Sequence, residues 1–338
     1  MKKVFVALSG GVDSAVSAHL LKNEGWDVVG VFIRVWQPDF LPCSQDEEER
    51  AAMRVAAHLG VPFKTLDLSK EYKEEVVDVM ISEYTKGRTP NPDVLCNESI
   101  KFGGFLDYAL SEGAEKIATG HHAQVIENKL VRGADASKDQ AYFLWKLTEK
   151  ELAHTLMPIG HMSKDDVRKY AEENNIPSAY KPDSQGLCFI GHVDMKTFLL
   201  NFIKTSSGDV LNESGEVVGT HDGSELVTLG QRGGFTITKK EEMGNVHYVI
   251  GKDISKNTIT ISENFNNEES LTSSLNLTDS NIENGKYVCE IRYHGEKIKC
   301  EVVDGTVTLF KPVLIAPGQS LVAYEDEVCV GGGIYTPF

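Results

Sequence analysis

Residues 6–21 read VALSGGVDSAVSAHLL, the end of an apolar strand, a glycine-rich turn and the start of a helix. The backbone N–H groups of the two glycines, the hydroxyls of Ser9 and Ser14, and the positive end of the helix dipole are all groups that bind phosphate. The lysine of a Walker A loop is absent, and Asp13 would repel a polyphosphate unless a divalent cation lay between them. Two glycines flanked by two serines are also more than a plain strand-to-helix turn needs. The sequence therefore predicts a polyphosphate site that uses Mg²⁺ near Asp13.

The pattern of apolar segments changes along the chain. Up to about residue 121, strand-like runs such as KVFVAL and VVGVFIRV alternate with helical patterns, which is typical of a doubly wound parallel sheet. Such sheets bind ligands at the carboxyl ends of their strands, so the glycine-rich turn and the segment TGHH, residues 119–122, are expected to lie together. From about residue 205 onward, short strands alternate with polar turns. The sequence predicts an α/β fold followed by a β-rich region.

The 338-residue chain has a formal net charge of −16. Because affinity for nucleic-acid phosphates depends on Lys and Arg, this charge argues against nonspecific coating of nucleic acid. A local basic surface is still compatible with it, and residues 286–299, KYVCEIRYHGEKIK, are basic and contain two tyrosines. We expect an RNA-facing patch there. No apolar run of membrane-spanning length and no signal-like segment is seen, so the expected location is cytoplasmic, with no membrane partner.

The six cysteines are too few for a disulfide framework, and none belongs to a CxxC pair of a closed zinc site. Cys96 and Cys188 lie in segments rich in Gly, Pro and polar residues instead of in apolar stripes. A thiol in such a segment is a candidate for chemistry. Three cysteines lie in strand-like segments and are expected to pack in a core: Cys289, Cys300 and Cys329.

Several motifs carry a resemblance that runs in order over essentially the whole chain. The turn SGGVDS resembles the PP-loop of the ATP pyrophosphatases, enzymes that split ATP between its α and β phosphates and transfer AMP to a substrate oxygen. The remaining motifs resemble those of the bacterial tRNA-specific 2-thiouridylase family: GRTPNPDVLCNESIKF (87–102), GHHAQV (120–125), KDQAYFLW (138–145), DSQGLCFIG (183–191), TLGQRGGF (228–235) and the late PGQ and CVGGGI. The resemblance implies three domains: a PP-loop ATP-binding catalytic domain at 1–204, a small central β-rich domain at 205–255 and a tRNA-contacting C-terminal β-barrel at 256–338.

The resemblance also implies the reaction. Members of the family use ATP to adenylate O2 of the wobble uridine, position 34 of tRNA, and replace that oxygen with sulfur from a cysteine persulfide. AMP and pyrophosphate are released. The implied cofactors are ATP and Mg²⁺, and the implied partners are a tRNA with a wobble uridine and a persulfide donor protein. Cys188 is expected to carry the persulfide and Cys96 to act as nucleophile or resolving thiol, with a transient disulfide that cytosolic reductants reset.

Asp93 is the third candidate catalytic residue, and its role has alternatives. It lies three residues before Cys96 in a segment stiffened by two prolines. It either handles a proton near the target base or caps a helix that starts near Val94. A further alternative is that Asp93, Cys96 and Cys188 ligate a [4Fe-4S] cluster, although clusters usually prefer cysteines at short spacing.

The resemblance assigns the binding residues as well. ATP is expected to contact the turn and the ends of two neighbouring strands, at Ala7, Leu8, Ser9, Gly10, Gly11, Val12, Asp13, Ser14, Ile33 and Gly120. tRNA is expected to contact Asn91, Pro92, Asp93, His121, Lys138, Asp139, Gln140, Arg292, Tyr293 and Gln319. Arg292 and Tyr293 fall in the segment that charge alone indicates. Arg232, in GQRGG, is a further candidate phosphate contact.

Other classes of protein share single features with this chain. A PP-loop synthetase that adenylates a small molecule would share the turn but would leave both motif cysteines and the β-rich region without a role. A tRNA 2-thiocytidine enzyme would be expected to carry CxxC cluster ligands, which the sequence lacks. A noncatalytic sulfur carrier or RNA-binding module would not need SGGVDS.

Overall fold

The structure is a computed structural model that describes residues 2–41, 45–182, 194–240, 243–265 and 267–337. The chain forms two compact units. The first contains Met1–Val77, Pro92–His192 and Tyr324–Val330, and the second contains Asp78–Asn91, Val193–Ala323 and Gly331–Phe338. Within the described ranges, no helix is long and apolar enough to cross a membrane.

The first unit is built on a five-stranded parallel sheet. Its strands are β1 (Lys3–Ala7), β2 (Asp27–Arg34), β3 (Phe63–Asp67), β4 (Lys116–Ala118) and β7 (Thr155–Leu156). They lie in the order β3-β2-β1-β4-β7. Val4, Phe5 and Val6 of β1 are all completely buried although successive side chains point to opposite faces. Both faces of this strand are therefore covered, and the predicted doubly wound parallel sheet is confirmed.

Helices cover the two faces of the sheet. Three of them, α1 (Val12–Asn23), α2 (Gln45–Leu59) and α8 (Lys164–Glu173), share one apolar cluster with Val4 and Val6. On the other face, Tyr108 of α6 (Phe105–Ser111) lies with its ring 6.0 Å from that of Phe5. The first unit also contains α3 (Ser69–Tyr72), α5 (Pro92–Leu95) and α7 (Glu149–Ala153), with π-helical turns at Lys73–Val77 and Cys96–Gly104. Two short helices, α4 (Asp78–Thr85) and α9 (Met195–Leu199), belong to the second unit.

The second unit contains a mixed five-stranded sheet. Its strands are β8 (Gly208–Leu211), β9 (Val217–His221), β10 (Phe235–Ile237), β11 (Tyr248–Asp253) and β12 (Thr258–Ser262), in the order β10-β9-β8-β12-β11. Val210, Val218 and Ile259 are completely buried in its own apolar cluster. After α9, the described residues form no further α-helix, as the change of pattern near residue 205 predicts.

A closed antiparallel barrel of six strands ends the chain. The strands are β13 (Thr272–Thr278), β14 (Gly285–Glu290), β15 (Ile298–Val303), β16 (Thr306–Val313), β17 (Ser320–Glu325) and β18 (Val328–Tyr335). The order is β13-β16-β15-β14-β17-β18, and pairing of Leu277 with Tyr335 closes the barrel. Closure removes the exposed strand edges that an open sheet would leave. In the first unit, a hairpin of β5 (Ala123–Ile126) and β6 (Lys129–Arg132) pairs with β18 at Val328.

Candidate active site

The turn between β1 and α1 is lined by backbone and hydroxyl groups. Ser14 Oγ donates a hydrogen bond to Gly11 O at 3.2 Å and lies 3.3 Å from Ser9 Oγ. Gly11 is the N-cap of α1, and because it has no side chain, no capping group takes up the first-turn N–H groups. Gly10 has a φ of 72°, and a Cβ there would come within 2.7 Å of Ala51 Cβ, so glycine is required. Such a turn is suited to hold an anion.

The carboxyl end of β4 approaches this turn closely. A Cβ on Gly120 would lie 2.7 Å from Ser14 N and 2.8 Å from Asp13 C, so the contact depends on glycine. Gly120 therefore lies beside the turn, where the parallel sheet brings strand ends together. Ile33, near the end of β2, is only 3% exposed, and its contact with adenine stays a prediction.

Asp13 is the centre of a charged cluster. Lys164 Nζ donates to both of its carboxylate oxygens at 2.7 Å, and His122 Nε2 lies 3.3 Å from Oδ1. Burial alone would raise the pKa of Asp13, but the hydrogen bond with His122 and the charge of Lys164 outweigh burial and lower the pKa below its usual value. His122 Nδ1 is buried and has no hydrogen-bond partner among the described residues, which favours the tautomer that donates from Nε2. Asp13 is therefore ionised at neutral pH and paired with two groups of the fold.

Lys164 and His122 are both held by one short segment, residues 135–140. Asp135 Oδ2 accepts a hydrogen bond from Lys164 N at 3.0 Å. Gln140 Oε1 accepts one from His122 N at 2.9 Å, and Gln140 N donates to His122 O at the same distance. This segment contains three residues that the sequence predicts to contact tRNA. Two short chains of hydrogen bonds thus join it to Lys164 and His122, which contact Asp13 after the glycine-rich turn.

Sequence reasoning missed both Lys164 and His122. In the segment TGHH the resemblance assigns a role only to the first histidine, and no motif of the sequence indicates Lys164. Lys164 follows Ser163, the N-cap of α8, whose Oγ accepts a hydrogen bond from Asp166 N at 3.1 Å. A lysine at the first position of that helix opposes the helix dipole, which is a signal that it needs an anionic partner elsewhere.

His121 lies inside the fold. It is 7% exposed, its Nδ1 lies 2.8 Å from Thr119 Oγ1, and its Nε2 lies 3.5 Å from Lys101 Nζ. Because the ammonium can only donate, Nε2 accepts and Nδ1–H donates to the hydroxyl. Burial, followed by the charge of Lys101, lowers the pKa of His121 well below its usual value. The ring is neutral at physiological pH, and its contact with tRNA stays a prediction.

Asp139 is also buried, at 5% exposure. Its carboxylate accepts hydrogen bonds from Arg132 at 2.9 Å, Gly133 N at 2.8 Å and Ala141 N at 3.1 Å. The guanidinium of Arg132 in turn lies 3.5 Å from the ring centroid of Tyr324. These contacts give Asp139 a role in holding its own loop, and its predicted contact with tRNA is not tested by them. The neighbouring Lys138 is half-buried.

Cys96 begins the π-helical turn that follows α5, and it is completely buried. Turns of this kind are frequent at functional sites. The helix starts at Pro92, so Asp93 lies within its first turn and the expectation that Asp93 caps a helix starting near Val94 is wrong. Cys188 lies outside the described residues. Among those described, no group of three or more His, Cys, Asp or Glu is placed to hold a metal ion.

In the second unit, Asn91 and Gln319 meet although they are far apart in sequence. Asn91 Nδ2 donates to Gln319 Oε1 at 3.4 Å, and Asn91 Oδ1 accepts from Ser320 N at 2.8 Å. Gln319 Nε2 donates to Thr89 O at 2.7 Å. Two residues that the sequence assigns to tRNA contacts are therefore neighbours within this unit.

Arg292 and Tyr293 lie in the turn between β14 and β15, and both are exposed. The ring of Tyr293 stacks on that of His294, with centroids 3.9 Å apart. The guanidinium of Arg232 lies 5.1 Å from the ring centroid of Tyr248, so this candidate phosphate contact is also held by an aromatic ring.

The barrel cysteines behave mainly as the sequence predicts. Cys289 and Cys300 are buried in the apolar cluster of the barrel, which confirms core packing for both. Cys329 is only half-buried and does not belong to that cluster.

Comparisons with known proteins identify the family. Three domain families match successive parts of the chain: a tRNA methyl transferase HUP domain at residues 2–192, a tRNA methyl transferase PRC-barrel domain at 196–263 and an aminomethyltransferase beta-barrel domain at 268–335. The tRNA-specific 2-thiouridylase MnmA 1 of Geobacillus kaustophilus is 42% identical, over 98% of this chain and 95% of the relative.

Two further relatives carry the same name. The tRNA-specific 2-thiouridylases MnmA of Nitrosomonas europaea and Lysinibacillus sphaericus are 41% and 40% identical, each over 98% of this chain and over 97% and 93% of their own lengths. Similarity at this level extends through every domain that the structure contains. The chain therefore belongs to the tRNA-specific 2-thiouridylase family.

Proposed function

We propose that this protein is a tRNA 2-thiouridylase, a sulfurtransferase that uses ATP to replace O2 of the wobble uridine with sulfur. The observation that carries the proposal is the uncapped, glycine-requiring turn SGGVDS at the end of β1, in a chain whose full-length relatives bear this activity in their names. The chain spans both the nucleotide turn and a barrel with an exposed Arg-Tyr pair, which suits a large anionic substrate.

The first step converts a poor leaving group into a good one. The uridine O2 attacks the α-phosphorus of ATP, the bond to the bridging oxygen breaks, and pyrophosphate leaves. The turn and the N-terminus of α1 supply N–H donors to the phosphate oxygens. The proton on uridine N3 is lost on adenylation, and Asp93 is assigned to accept it.

Mg²⁺ fits the residues of the turn. The Asp13 side chain is 30% exposed, and one carboxylate together with phosphate oxygens and water is a common ligand set for this ion. Asp13 would hold the ion, which neutralises phosphate charge when bound.

The second step needs a sulfur nucleophile and a thiol that releases it. The terminal sulfur of a Cys188 persulfide attacks C2 of the adenylated uridine, and AMP leaves with the original O2. The Cys96 thiolate then attacks Cys188 Sγ and breaks its bond to the transferred sulfur, so 2-thiouridine is released and a Cys96–Cys188 disulfide remains. Thiol reductants of the cytoplasm, where we place the protein, reset the pair.

tRNA binding in this proposal uses two kinds of contact. The target base must leave its stack to expose O2, and Asn91 to Asp93 hold it. Arg292 binds the RNA through its charge, and Tyr293 binds it by stacking, because single-stranded bases pack on aromatic rings. Gln319 and Lys138–Gln140 add further contacts, and a separate persulfide donor protein supplies the sulfur.

The proposal is tested by incubating the protein with wobble-uridine tRNA, ATP, Mg²⁺ and a persulfide donor. We expect AMP to form and the tRNA to be retarded in a mercury-containing gel, both depending on all four additions. A small-molecule synthetase would make AMP or an AMP adduct without tRNA, and a binding module would make none. Either result would overturn the proposal.

The alternative of an iron–sulfur cluster on Asp93, Cys96 and Cys188 calls for a second experiment. Anaerobic purification followed by an iron count and an absorbance spectrum distinguishes a cluster mechanism from the persulfide mechanism. Our proposal predicts full thiolation by iron-free protein with a persulfide donor. The Cys188→Ser variant should still adenylate tRNA but fail to thiolate it, and retained thiolation would remove Cys188 from the relay.

A further inference from the structure

The phosphate turn lacks a lysine of its own, and α8 brings one to it. Lys164 comes from a helix that lies 151 residues further along the chain than Asp13, yet its ammonium contacts both oxygens of that carboxylate at 2.7 Å. Lys164 is only 7% exposed, so its charge is largely withdrawn from solvent. Burying an ammonium is costly unless a specific partner or ligand requires it there.

Hydrogen bonds fix both the backbone and the side-chain ammonium of Lys164. Its backbone N–H donates to Asp135 Oδ2 at 3.0 Å, and the preceding Ser163 caps the helix. Its Nζ reaches Asp13 in the first turn of α1, the helix whose N-terminus has no side-chain cap. The ammonium of Lys164 is therefore held beside the residue that precedes Ser14 of the glycine-rich turn.

We propose that Lys164 binds the pyrophosphate part of ATP and so supplies, from α8, the cation that the turn lacks. This rests on the proposed use of ATP. An ammonium has three donor protons, which allows it to contact phosphate while staying close to Asp13. The ion pair with Asp13 holds the side chain in place before the nucleotide binds, which reduces the entropy lost on binding.

The competing explanation is that Lys164 only neutralises Asp13. The two roles differ in their ligand dependence. A lysine that contacts the β and γ phosphates affects ATP and pyrophosphate but not AMP, and it does so even where Asp13 is neutral. A lysine that only neutralises Asp13 affects no ligand once Asp13 itself has been replaced. A hydrogen bond to a charged group contributes about 1.5–3 kcal/mol, which corresponds to roughly 10–10²-fold in affinity.

The experiment measures dissociation constants of Mg·ATP, Mg·pyrophosphate and AMP by calorimetry on the full chain. Lys164→Met is expected to weaken ATP and pyrophosphate by about 10-fold or more and AMP by less than about twofold. Lys169→Met is the matched control, because Lys169 lies on the same helix with its side chain 73% exposed. It should leave all three constants unchanged.

A second pair of variants removes the ion pair with Asp13 from both members of the comparison. Asp13→Asn is compared with the double variant Asp13→Asn/Lys164→Met, in which the neutralising role of Lys164 has already been removed. If Lys164 binds phosphate, the double variant binds pyrophosphate about 10-fold more weakly than Asp13→Asn. Equal affinities in this pair would overturn the inference alone. Failure of the unsubstituted protein to bind Mg·ATP would overturn the proposed function together with it.

Discussion

The nucleotide turn and the Arg292–Tyr293 turn of the barrel are built in opposite ways. At the nucleotide turn the buried Lys164 is paired with the half-buried Asp13, whereas Arg292 and Tyr293 project from a surface turn. Buried charges are strongly coupled because the surrounding medium screens them poorly. Exposed ones are screened by salt and act almost independently. We therefore expect substitutions at the nucleotide turn to cause large losses of ATP-dependent activity. Substitutions at the Arg292–Tyr293 turn should cause smaller losses of tRNA affinity that depend on salt.

The largest effect is expected from Asp13→Asn. The substitution removes the carboxylate assigned to Mg²⁺ and leaves Lys164 without its anionic partner, so the rate of AMP formation should fall by at least about 10²-fold. AMP release is measured chromatographically with Mg·ATP, saturating tRNA and the persulfide donor. Asp165→Asn, an exposed acid on α8, is the control and should retain the rate. Unimpaired AMP formation by Asp13→Asn would show that the buried cluster does not serve the nucleotide.

The Asp139→Ala variant tests whether Asp139 mainly stabilises the fold or mainly contacts tRNA. Asp139→Ala removes one anionic partner of the largely buried Arg132 guanidinium, and breaking a buried pair in this way costs about 3–5 kcal/mol in the free energy of unfolding. Chemical denaturation measures it, with Asp135→Ala as a less buried comparison on the same loop. Unchanged stability combined with lost tRNA affinity would assign Asp139 to the RNA surface instead.

Arg292→Ala should produce a smaller and graded effect. Loss of one phosphate contact is expected to weaken tRNA binding by about tenfold at low salt and to reduce the slope of log affinity against log salt by about one. Filter binding over a range of salt concentrations measures both quantities. Lys256→Ala, whose side chain is 76% exposed in the same unit, is the reference. An unchanged slope would mean that Arg292 does not touch phosphate.

The smallest effect concerns pH. His121 has a lowered pKa in the fold, so below about pH 6.5 the unfolded chain binds a proton there that the folded chain does not. Its contribution to stability is thus present above that pH and lost as the pH falls. In His121→Gln the decline in the free energy of unfolding should be shallower by up to about 1.4 kcal/mol per pH unit. Identical slopes in the two proteins would contradict a neutral, buried His121.

Much of the fold follows from local sequence. The turn SGGVDS, the alternating strands and helices of the first unit, and the short strands of the second each carry their own periodicity or turn residues, and the structure contains them. The pairing of Lys164 with Asp13 does not follow, because it depends on how α8 packs across 151 residues of intervening chain. The burial of His121 and Asp139 likewise depends on tertiary packing, and polar residues in a motif look the same whether they face solvent or the core.

The central claim is that ATP, bound at the glycine-rich turn SGGVDS, activates the uridine oxygen that sulfur then replaces. Isotope transfer tests it most directly: tRNA carrying oxygen-18 at O2 of the wobble uridine is thiolated in a single turnover, and the AMP is analysed by mass spectrometry. We predict that AMP carries the label, because O2 leaves the base bonded to the α-phosphorus. Thiolated tRNA accompanied by unlabelled AMP would contradict the account.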